Sequence, residues 1–324
     1  MRKAFEPLKI LPYVAMAMED SPFTPILSPL KAGSFKALAR AISLVENEAD
    51  GYEDFLQRLS SSDIPVTGIT GPPGAGKSTL VDALIELLAK QGKKVGVLCV
   101  DPSSPFNLGA LLGDRIRMSE WYNHPNVFIR SLASRGSLGG LHPHIIEILD
   151  TMKAAGFDHL VVETVGVGQS EIEIAGLADT TVVVLVPEAG DEVQTMKAGL
   201  MEIADVFVVN KADRPDADSF VKNLRMRLNP TSAMAGAAKK AAGIPVIKTV
   251  ASQKEGINGL LAAISEHHQT QASSERKYWL LAEKAWHLLQ QKRMSGFSKA
   301  DFRKDIEQQS EKGDFNLYRF VDNF

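Results

Sequence analysis

The strongest chemical signal in the sequence is the glycine-rich segment GPPGAGKST at residues 71–79. It fits the pattern G-x-x-x-x-G-K-[ST], and it lies between a β-branched apolar run and a helical pattern. A loop of this type surrounds a phosphate with backbone N–H groups, and the following helix directs the positive end of its dipole at the same anion. The residues predicted to bind the phosphates are Gly71, Pro72, Pro73, Gly74, Ala75, Gly76, Lys77, Ser78 and Thr79. We expect Lys77 to contact the β- and γ-phosphates and the Ser78 hydroxyl to bind Mg²⁺.

A second motif predicts which base the nucleotide carries. Asn210, Lys211 and Asp213 form N-K-x-D directly after the apolar run DVFVVN. The carboxylate of Asp213 can accept two hydrogen bonds, from N1–H and from the exocyclic amine of guanine. Adenine lacks that pair of donors, so it would leave a desolvated carboxylate unpaired. We expect Asn210 to hold the loops together and the Lys211 stem to cover the base. The sequence therefore predicts GTP and GDP as ligands.

Three acidic residues are candidates for Mg²⁺ binding and catalysis. Glu163 is the last-but-one residue of the run HLVVET, at a strand end where a water-mediated Mg²⁺ contact is expected, and Gly166 can offer its N–H to the γ-phosphate. Asp101 and Asp114 follow the second predicted strand, so one could orient Mg²⁺-bound water and the other could act on the attacking water. The alternatives are a helix-capping Asp101 and a surface pair of Asp114 with Arg117.

The predicted catalytic residues are accordingly Lys77, Asp101, Asp114 and Glu163, and the predicted metal-binding residues are Ser78, Asp101, Asp114 and Glu163. Gln169 could position the attacking water or cap the next helix, and both interpretations stay open at this point.

The elements around these motifs predict an α/β fold. Continuous apolar runs, typical of strands buried on both faces, occur at 65–70, 94–100, 127–130, 159–164, 181–186, 205–210 and 245–249. Helical patterns alternate with them at about 77–90, 140–155, 192–202, 216–227 and 257–268. This order predicts a P-loop NTPase with a mostly parallel central sheet covered by helices on both faces.

Helical extensions flank this sheet domain in the prediction. Residues 1–30 are rich in proline and predict an extended or poorly ordered arm, followed by helices from Ser34 and at about 52–59. An apolar stripe within 275–294 predicts either packing against the sheet domain or a dimer or partner surface. The predicted domains are an arm and helical extension (1–61), a GTPase domain (62–270) and a C-terminal helical extension (271–324).

Composition excludes several classes of protein. The chain has 324 residues with 36 lysines and arginines against 39 aspartates and glutamates, a net charge of −3, which argues against nucleic-acid binding through bulk charge. No apolar run approaches the length of a membrane span, so we expect no membrane partner. The single cysteine, Cys99, fits a reducing compartment, and we expect a cytoplasmic protein with Cys99 buried in a strand.

Taken together, these motifs resemble the MeaB/ArgK family of methylmalonyl-CoA mutase-associated, metallochaperone-type P-loop GTPases. The resemblance rests on GPPGAGKST, VDPSS with LGDRIRM, SRGSLGGL, ETVGVGQSE, GDEVQTMKAG and NKAD, and it covers roughly residues 34–270. The family carries a glutamate, here Glu163, where most signalling GTPases have aspartate.

The resemblance implies a homodimeric GTPase that gates adenosylcobalamin delivery to a cobalamin-dependent acyl-CoA mutase, such as methylmalonyl-CoA mutase, and protects that enzyme. It places Asp101 and Asp114 in a first switch, Glu163 in a second, and Gly190–Gly199 in a third that transmits the nucleotide state to the mutase. The third segment contains Asp191, Gln194 and Lys197. The base-contacting loop of the family falls on Val250, Ala251 and Ser252, with Val250 in the place of a serine.

Three other functions are compatible with the sequence, one of which is a non-enzymatic structural partner that binds GTP but scarcely turns it over. A nickel-type metal-insertion GTPase would need a metal site, and the seven histidines (His124, His142, His144, His159, His267, His268 and His287) have no cysteine partner. A kinase acting on a small molecule or a transport protein would need an acceptor pocket and a base near the γ-phosphate, for which Asp101 could serve.

Overall fold

The computed structural model describes residues 21–60, 62–101, 118–133, 141–164, 170–189, 198–228, 243–270, 275–294, 297–311, 313 and 315–322. The chain divides into two compact units, with the boundary between Ser274 and Glu275. The first unit contains the N-terminal helices and the sheet, and the elements described in the second are helices. The finer division into three domains stays a prediction.

The first unit alternates strands and helices. Its strands are β1 (Val66–Thr70), β2 (Val95–Asp101), β3 (Val127–Ala133), β4 (His159–Thr164), β5 (Thr180–Leu185), β6 (Val206–Val209) and β7 (Val246–Lys248). Its helices are α1 (Thr24–Lys31), α2 (Phe35–Glu46), α3 (Tyr52–Gln57), α4 (Lys77–Lys90), α5 (Ile145–Lys153), α6 (Ser170–Leu177), α7 (Ala198–Ile203), α8 (Ala217–Leu228) and α9 (Ile257–Thr270). The seven predicted strands are confirmed, and β3 continues past its predicted end at Arg130.

The seven strands form one parallel sheet in the order β3-β2-β4-β1-β5-β6-β7. Alternate residues of each strand face opposite sides. Val182 and Val184 of β5 pack with α4 and α9, whereas Val183 and Leu185 pack with α7 and α8. Burial on both faces explains why the strands are continuously apolar, and the α/β P-loop fold is confirmed. Cys99 of β2 is buried, as predicted.

The proline-rich N-terminus corrects one prediction. Residues 24–31, expected in an extended arm, form α1, whereas residues 1–20 lie outside the described part of the chain. Pro25 lies in the first turn, where a backbone N–H has no helical partner, so it does not disturb the helix. Pro29 does remove one helical hydrogen bond. Burial of Ile26 and Leu30, and stacking of Phe23 on Phe55 with ring centroids 4.5 Å apart, outweigh that loss.

Helix α6 was not among the predicted helices, because its sequence, SEIEIAGL, shows no helical period. Parallel strands require a crossover connection, and α6 links β4 to β5, which lie on either side of β1. The helix packs tightly over β1 at Gly68. A Cβ there would lie 2.8 Å from Ile174 Cγ1 and 2.9 Å from Ala178 Cβ, so only glycine permits this approach.

One other helix begins later than predicted, and the start of another lies outside the described residues. α5 starts at Ile145 and not near residue 140, because Pro143 disfavours helical geometry in the residue before it. The structure describes α7 only from Ala198.

The second unit consists of α10 (Glu275–Met294), α11 (Lys299–Glu311) and α12 (Leu317–Val321). Phe302, Phe315 and Phe320 form its small aromatic cluster, with centroids 6.0 Å apart for each contact to Phe320. No residue of α10 or α11 is buried. In the part of the chain that the structure describes, no helix is long and apolar enough to cross a membrane.

Buried His159 predicts a pH dependence of stability. The pKa of His159 is lowered from 6.5 to about 4. Burial is the largest cause, the nearby His268 is the second, and Asp179 opposes the shift. Between these values the unfolded chain binds a proton that the folded chain does not, so stability is full above about pH 6.5 and falls as the pH drops. The native protein is expected to lose unfolding free energy when the pH falls from about 7.5 to about 5. In His159→Gln we expect that loss to be smaller by about 2 kcal/mol, as measured by urea titrations at the two pH values. His287→Gln, on exposed α10, is the control, and an unchanged pH dependence in His159→Gln would contradict the assignment.

Candidate functional site

The candidate site lies at the carboxyl edge of the sheet. Because all seven strands are parallel, the segments that follow β1, β4, β6 and β7 leave the sheet at the same edge. β1 occupies the centre, between β4 and β5. The two motifs of the sequence follow β1 and β6, and the fold therefore brings them to one place.

The loop after β1 depends on glycine at its two ends. Gly71 has φ +140°, and a Cβ on it would lie 2.1 Å from the Val184 carbonyl oxygen of β5. Gly76 has φ +87°, and a Cβ on it would lie 2.5 Å from Asn210 Nδ2. Both positions exclude a side chain. Gly74 has φ +76°, and a Cβ on it would meet no heavy atom within 4 Å, so the middle of the loop faces open space.

Lys77 and Ser78 occupy the first turn of α4 and are buried. The Lys77 ammonium turns back over the loop and donates to the carbonyl oxygens of Gly71 at 2.9 Å and Pro72 at 3.1 Å. Gly76 is the N-cap of α4 and supplies no side-chain cap. The ammonium and the positive end of the helix dipole therefore act on the same small volume, which suits a phosphate.

Ser78 contacts Glu163, the last-but-one residue of β4. The Ser78 hydroxyl donates to Glu163 Oε1 at 2.7 Å, and both side chains are buried. Glu163 reaches this position because it pairs with Ile69 of β1, two residues before the loop. A hydroxyl and a carboxylate oxygen side by side are the hard ligands that Mg²⁺ prefers, so these two residues fit the predicted metal.

Asn210 joins three loops at the end of β6. Its Nδ2 donates to the Ala75 carbonyl at 2.9 Å, and its Oδ1 accepts from the Thr249 hydroxyl and the Ala251 N–H, both at 3.1 Å. The side chain is buried, with 3% of its surface exposed. The Asn210 amide thus both donates and accepts hydrogen bonds, and it connects the loops as expected.

The remaining residues of the N-K-x-D motif lie at the surface. Lys211 has a left-handed backbone, with φ +56°, and its ammonium donates to the Gly74 carbonyl at 2.8 Å. The Ala212 N–H donates to the Thr249 carbonyl at 3.0 Å, and Asp213 is exposed. The motif therefore borders the phosphate loop along one side and leaves the Asp213 carboxylate accessible.

The loop after β7 keeps a tight conformation without the serine of the family. Val250 and Glu255 exchange backbone hydrogen bonds, each of 3.2 Å, and Gln253 N donates to Val250 O at 2.9 Å. Gly256 closes the turn, since a Cβ there would lie 2.1 Å from the Lys248 carbonyl oxygen. These bonds are backbone bonds, so the valine side chain does not disturb them. Ser252 is exposed and Ala251 is buried.

Other predicted site residues are outside the described part of the chain. They are Asp114, Gly166, Gln169, Asp191, Gln194 and Lys197. The backbone of Asp101 ends β2, at the same sheet edge, but its side chain is not described.

One contributor to the site, Thr249, was not predicted. It anchors both the Asn210 side chain, through its hydroxyl, and the Ala212 N–H, through its carbonyl. The sequence signal that could have indicated this role is the polar character of Thr249, which lies between the end of β7 and Val250.

Asn210→Ala is expected to destabilise the fold by about 2–4 kcal/mol, because it leaves buried groups of Ala75, Thr249 and Ala251 without their partner. Urea unfolding measures the change, and Asn223→Ala on the exposed side of α8 is the matched control. Equal stability of the two variants would show that Asn210 does not secure the loops.

The histidines considered for a metal site have protein partners. His144 Nε2 lies 3.0 Å from Glu48 Oε1, and His267 Nδ1 lies 2.9 Å from the Thr180 hydroxyl. Among the described residues, no group of three or more His, Cys, Asp and Glu side chains is arranged to hold a metal ion.

Comparison with known proteins identifies the family. The family described as "Methylmalonyl Co-A mutase-associated GTPase MeaB" matches residues 38–300. A Pyrococcus abyssi protein with GTPase in its name is 47% identical over 248 residues, which is 75% of each chain. The mouse protein named "Methylmalonic aciduria type A homolog, mitochondrial" is 35% identical over 295 residues, covering 83% of this chain and 69% of the mouse protein.

A solved structure agrees with this result. The crystal structure of a protein named LAO/AO transport system kinase superposes with a TM-score of 0.64 at 25% identity, covering 94% of this chain and 96% of the other. The family match spans most of the chain, and the phosphate loop, the buried Ser78–Glu163 pair and the Asn210 junction lie within it. The chain therefore belongs to the MeaB family and is a P-loop GTPase.

Proposed function

We propose that this GTPase gates delivery of adenosylcobalamin to a cobalamin-dependent acyl-CoA mutase, of the methylmalonyl-CoA mutase type, and protects that enzyme. The observation that carries the proposal is the family match over residues 38–300, since the description of the family names this mutase. The name of the mouse relative, which refers to methylmalonic aciduria, supports the same metabolite class.

The phosphates of GTP bind, in this proposal, in the loop from Gly71 to Thr79. Lys77 turns from the Gly71 and Pro72 carbonyls toward the β- and γ-phosphates. The ammonium thereby exchanges neutral acceptors for charged ones, and this exchange favours the nucleotide-bound state. Open space at Gly74 admits the phosphate close to the backbone.

Ser78 and Glu163 would hold Mg²⁺, Ser78 directly and Glu163 through water. When bound, the ion neutralises negative charge that develops on the phosphate oxygens. Asp101 and Asp114 are proposed as further acids around the ion and the attacking water. Gly166 is proposed to contact the γ-phosphate. Gln169 is proposed either to position the attacking water or to cap the next helix.

The base is proposed to lie against Lys211, with its Watson–Crick edge at Asp213 and its O6 at the backbone of Val250, Ala251 and Ser252. The exposed Asp213 carboxylate supports this placement, and so do the contacts of the neighbouring residues with the phosphate loop. Lys211 donates to Gly74, and Asn210 connects Ala75 to Ala251.

The partner proposal is tested by GTP turnover in the presence of purified mutases. We expect turnover to rise several-fold with the correct cobalamin-dependent acyl-CoA mutase and to stay at its basal value with a cobalamin-independent enzyme. Unchanged turnover with every cobalamin-dependent acyl-CoA mutase would reject the partner and leave the GTPase activity intact.

Self-association through α10 is proposed as the dimer contact. Trp279 and Trp286 are 66% and 60% exposed and lie seven residues apart, which places them on the same side of the helix. Sedimentation of Trp286→Glu against Lys284→Glu tests this, and an unchanged dimer fraction in the tryptophan variant would exclude α10.

A kinase function is the second candidate, because the protein in the superposed crystal structure is named a kinase. Steady-state release of phosphate from GTP without any acceptor distinguishes the two, since a kinase requires one. Metal insertion is the third, and tight stoichiometric zinc binding in a titration would favour it. We propose a cytoplasmic location, supported by the single buried thiol and testable by fractionation.

A further inference from the structure

A buried pair of hydroxyl groups joins β1 to β4 at the edge of the sheet that carries the site. The Thr164 hydroxyl donates to Thr70 Oγ1 at 2.9 Å, and the two side chains are 1% and 0% exposed. The pair is the continuation of the β1–β4 register, in which Ile69 lies opposite Glu163. Valine has nearly the shape of threonine and suits a strand, so strand packing by itself does not require a hydroxyl at either position.

The position of this pair in the chain is the reason to assign it a role. Thr70 is the residue before Gly71, so it ends the strand that leads into the phosphate loop. Thr164 ends β4 and follows Glu163, whose carboxylate accepts from the Ser78 hydroxyl. One hydrogen bond therefore connects the start of the phosphate loop to the strand end that carries Glu163.

A second polar pair on the same two strands provides a comparison. At the opposite end of β1 and β4, the Thr67 hydroxyl lies 2.9 Å from His159 Nε2, and both residues are buried. The two pairs bridge the same strands at similar distances. They differ in that only the Thr70–Thr164 pair adjoins the site.

We propose that Thr70 and Thr164 are positioning residues for GTP hydrolysis, which set the phosphate loop and the Glu163 carboxylate at a fixed separation. This rests on the proposed roles of the loop and of Glu163. The charge that the Glu163 site is proposed to help neutralise develops on the phosphate oxygens during hydrolysis, so loss of the pair affects turnover of GTP and spares the affinity for GDP. The two threonines contact each other and not the nucleotide.

The test is a set of shape-preserving substitutions measured for kcat, GDP affinity and thermal unfolding. Thr164→Val is expected to lower kcat for GTP hydrolysis about fivefold to tenfold, as the loss of one buried hydrogen bond allows, with GDP affinity unchanged within about twofold. Thr164→Ser restores the hydroxyl and is expected to restore most of kcat. Thr67→Val, the matched control, is expected to lower the unfolding temperature to a similar degree and leave kcat unchanged.

A double-variant cycle completes the test and covers the case in which Thr164→Val does not fold. Thr70→Val is expected to lower kcat as Thr164→Val does, and Thr70→Val with Thr164→Val to lower it no further, because one interaction is removed in each case. The proposal is overturned if the site variants retain the kcat of Thr67→Val, or if Thr164→Ser is as slow as Thr164→Val. Lys77→Ala separately tests the site itself, so a failure of the threonine pair is distinguishable from a failure of the proposed function.

Discussion

Lys77→Ala is expected to lower GTP turnover at least about 100-fold, because it removes the only side-chain cation that the described first turn of α4 places in the phosphate loop. In the structure the ammonium is buried and bonded to two loop carbonyls, so it is already held within reach of an anion in the loop. Steady-state phosphate release and equilibrium binding of GTP measure the effect on catalysis and on affinity.

Two controls separate this effect from general damage. Lys90→Ala removes a lysine from the exposed end of the same helix, where it pairs with Glu86, and is expected to leave turnover unchanged. Thermal unfolding of Lys77→Ala shows whether the loop survives the loss of the Gly71 and Pro72 contacts. Turnover within about threefold of the native protein would contradict the phosphate role of Lys77.

Asp213→Asn is expected to weaken GTP binding about 100-fold, because an amide cannot accept both hydrogen bonds that guanine offers to a carboxylate. The same amide can donate to a carbonyl at position 2 of the base. We therefore expect affinity for xanthosine triphosphate to rise as affinity for GTP falls. Competition binding with the two nucleotides measures this exchange of preference.

Asp216→Asn is the matched control for the base. It makes the same chemical change three residues further along the same exposed segment, and its left-handed backbone, with φ +67°, tolerates asparagine. We expect it to bind GTP as the native protein does. Tight, GTP-selective binding by Asp213→Asn would remove Asp213 from base recognition while leaving the phosphate site untouched.

Both predictions depend on the different groups that the strands and loops contribute at the carboxyl edge of the sheet. The loop after β1 supplies charge and backbone, β4 supplies the Glu163 carboxylate, and β6 supplies the amide of Asn210 that fixes the relative position of the loops. Asn210 contacts Ala75 and Ala251 at once, so we expect a displacement of the loop after β7 to shift the loop after β1 as well.

Sequence alone determined the class of fold and the two motifs that define the site. The strands are continuously apolar because both faces of the sheet are covered, and this pattern is local, so every strand could be located without coordinates. The phosphate loop is also local, because its glycines, Lys77 and Ser78 lie within nine residues. Helix α6 and the proline-containing α1 could not be predicted in this way, since the first has no helical period and the second is stabilised by contact of Phe23 with Phe55 of α3.

Only the tertiary structure decided which distant side chains meet. Ser78 and Glu163 are 85 residues apart, and the pairing of β1 with β4 places their oxygens 2.7 Å from each other. Asn210 and Ala75 are 135 residues apart and meet because β1, β5 and β6 are neighbours in a parallel sheet. The hydroxyl pair of Thr70 and Thr164 has no sequence signal at all, because threonine is an ordinary strand residue and its polarity matters only when the partner strand is known. Local patterns encode local structure, whereas strand order, which depends on the packing of the whole domain, selects these contacts.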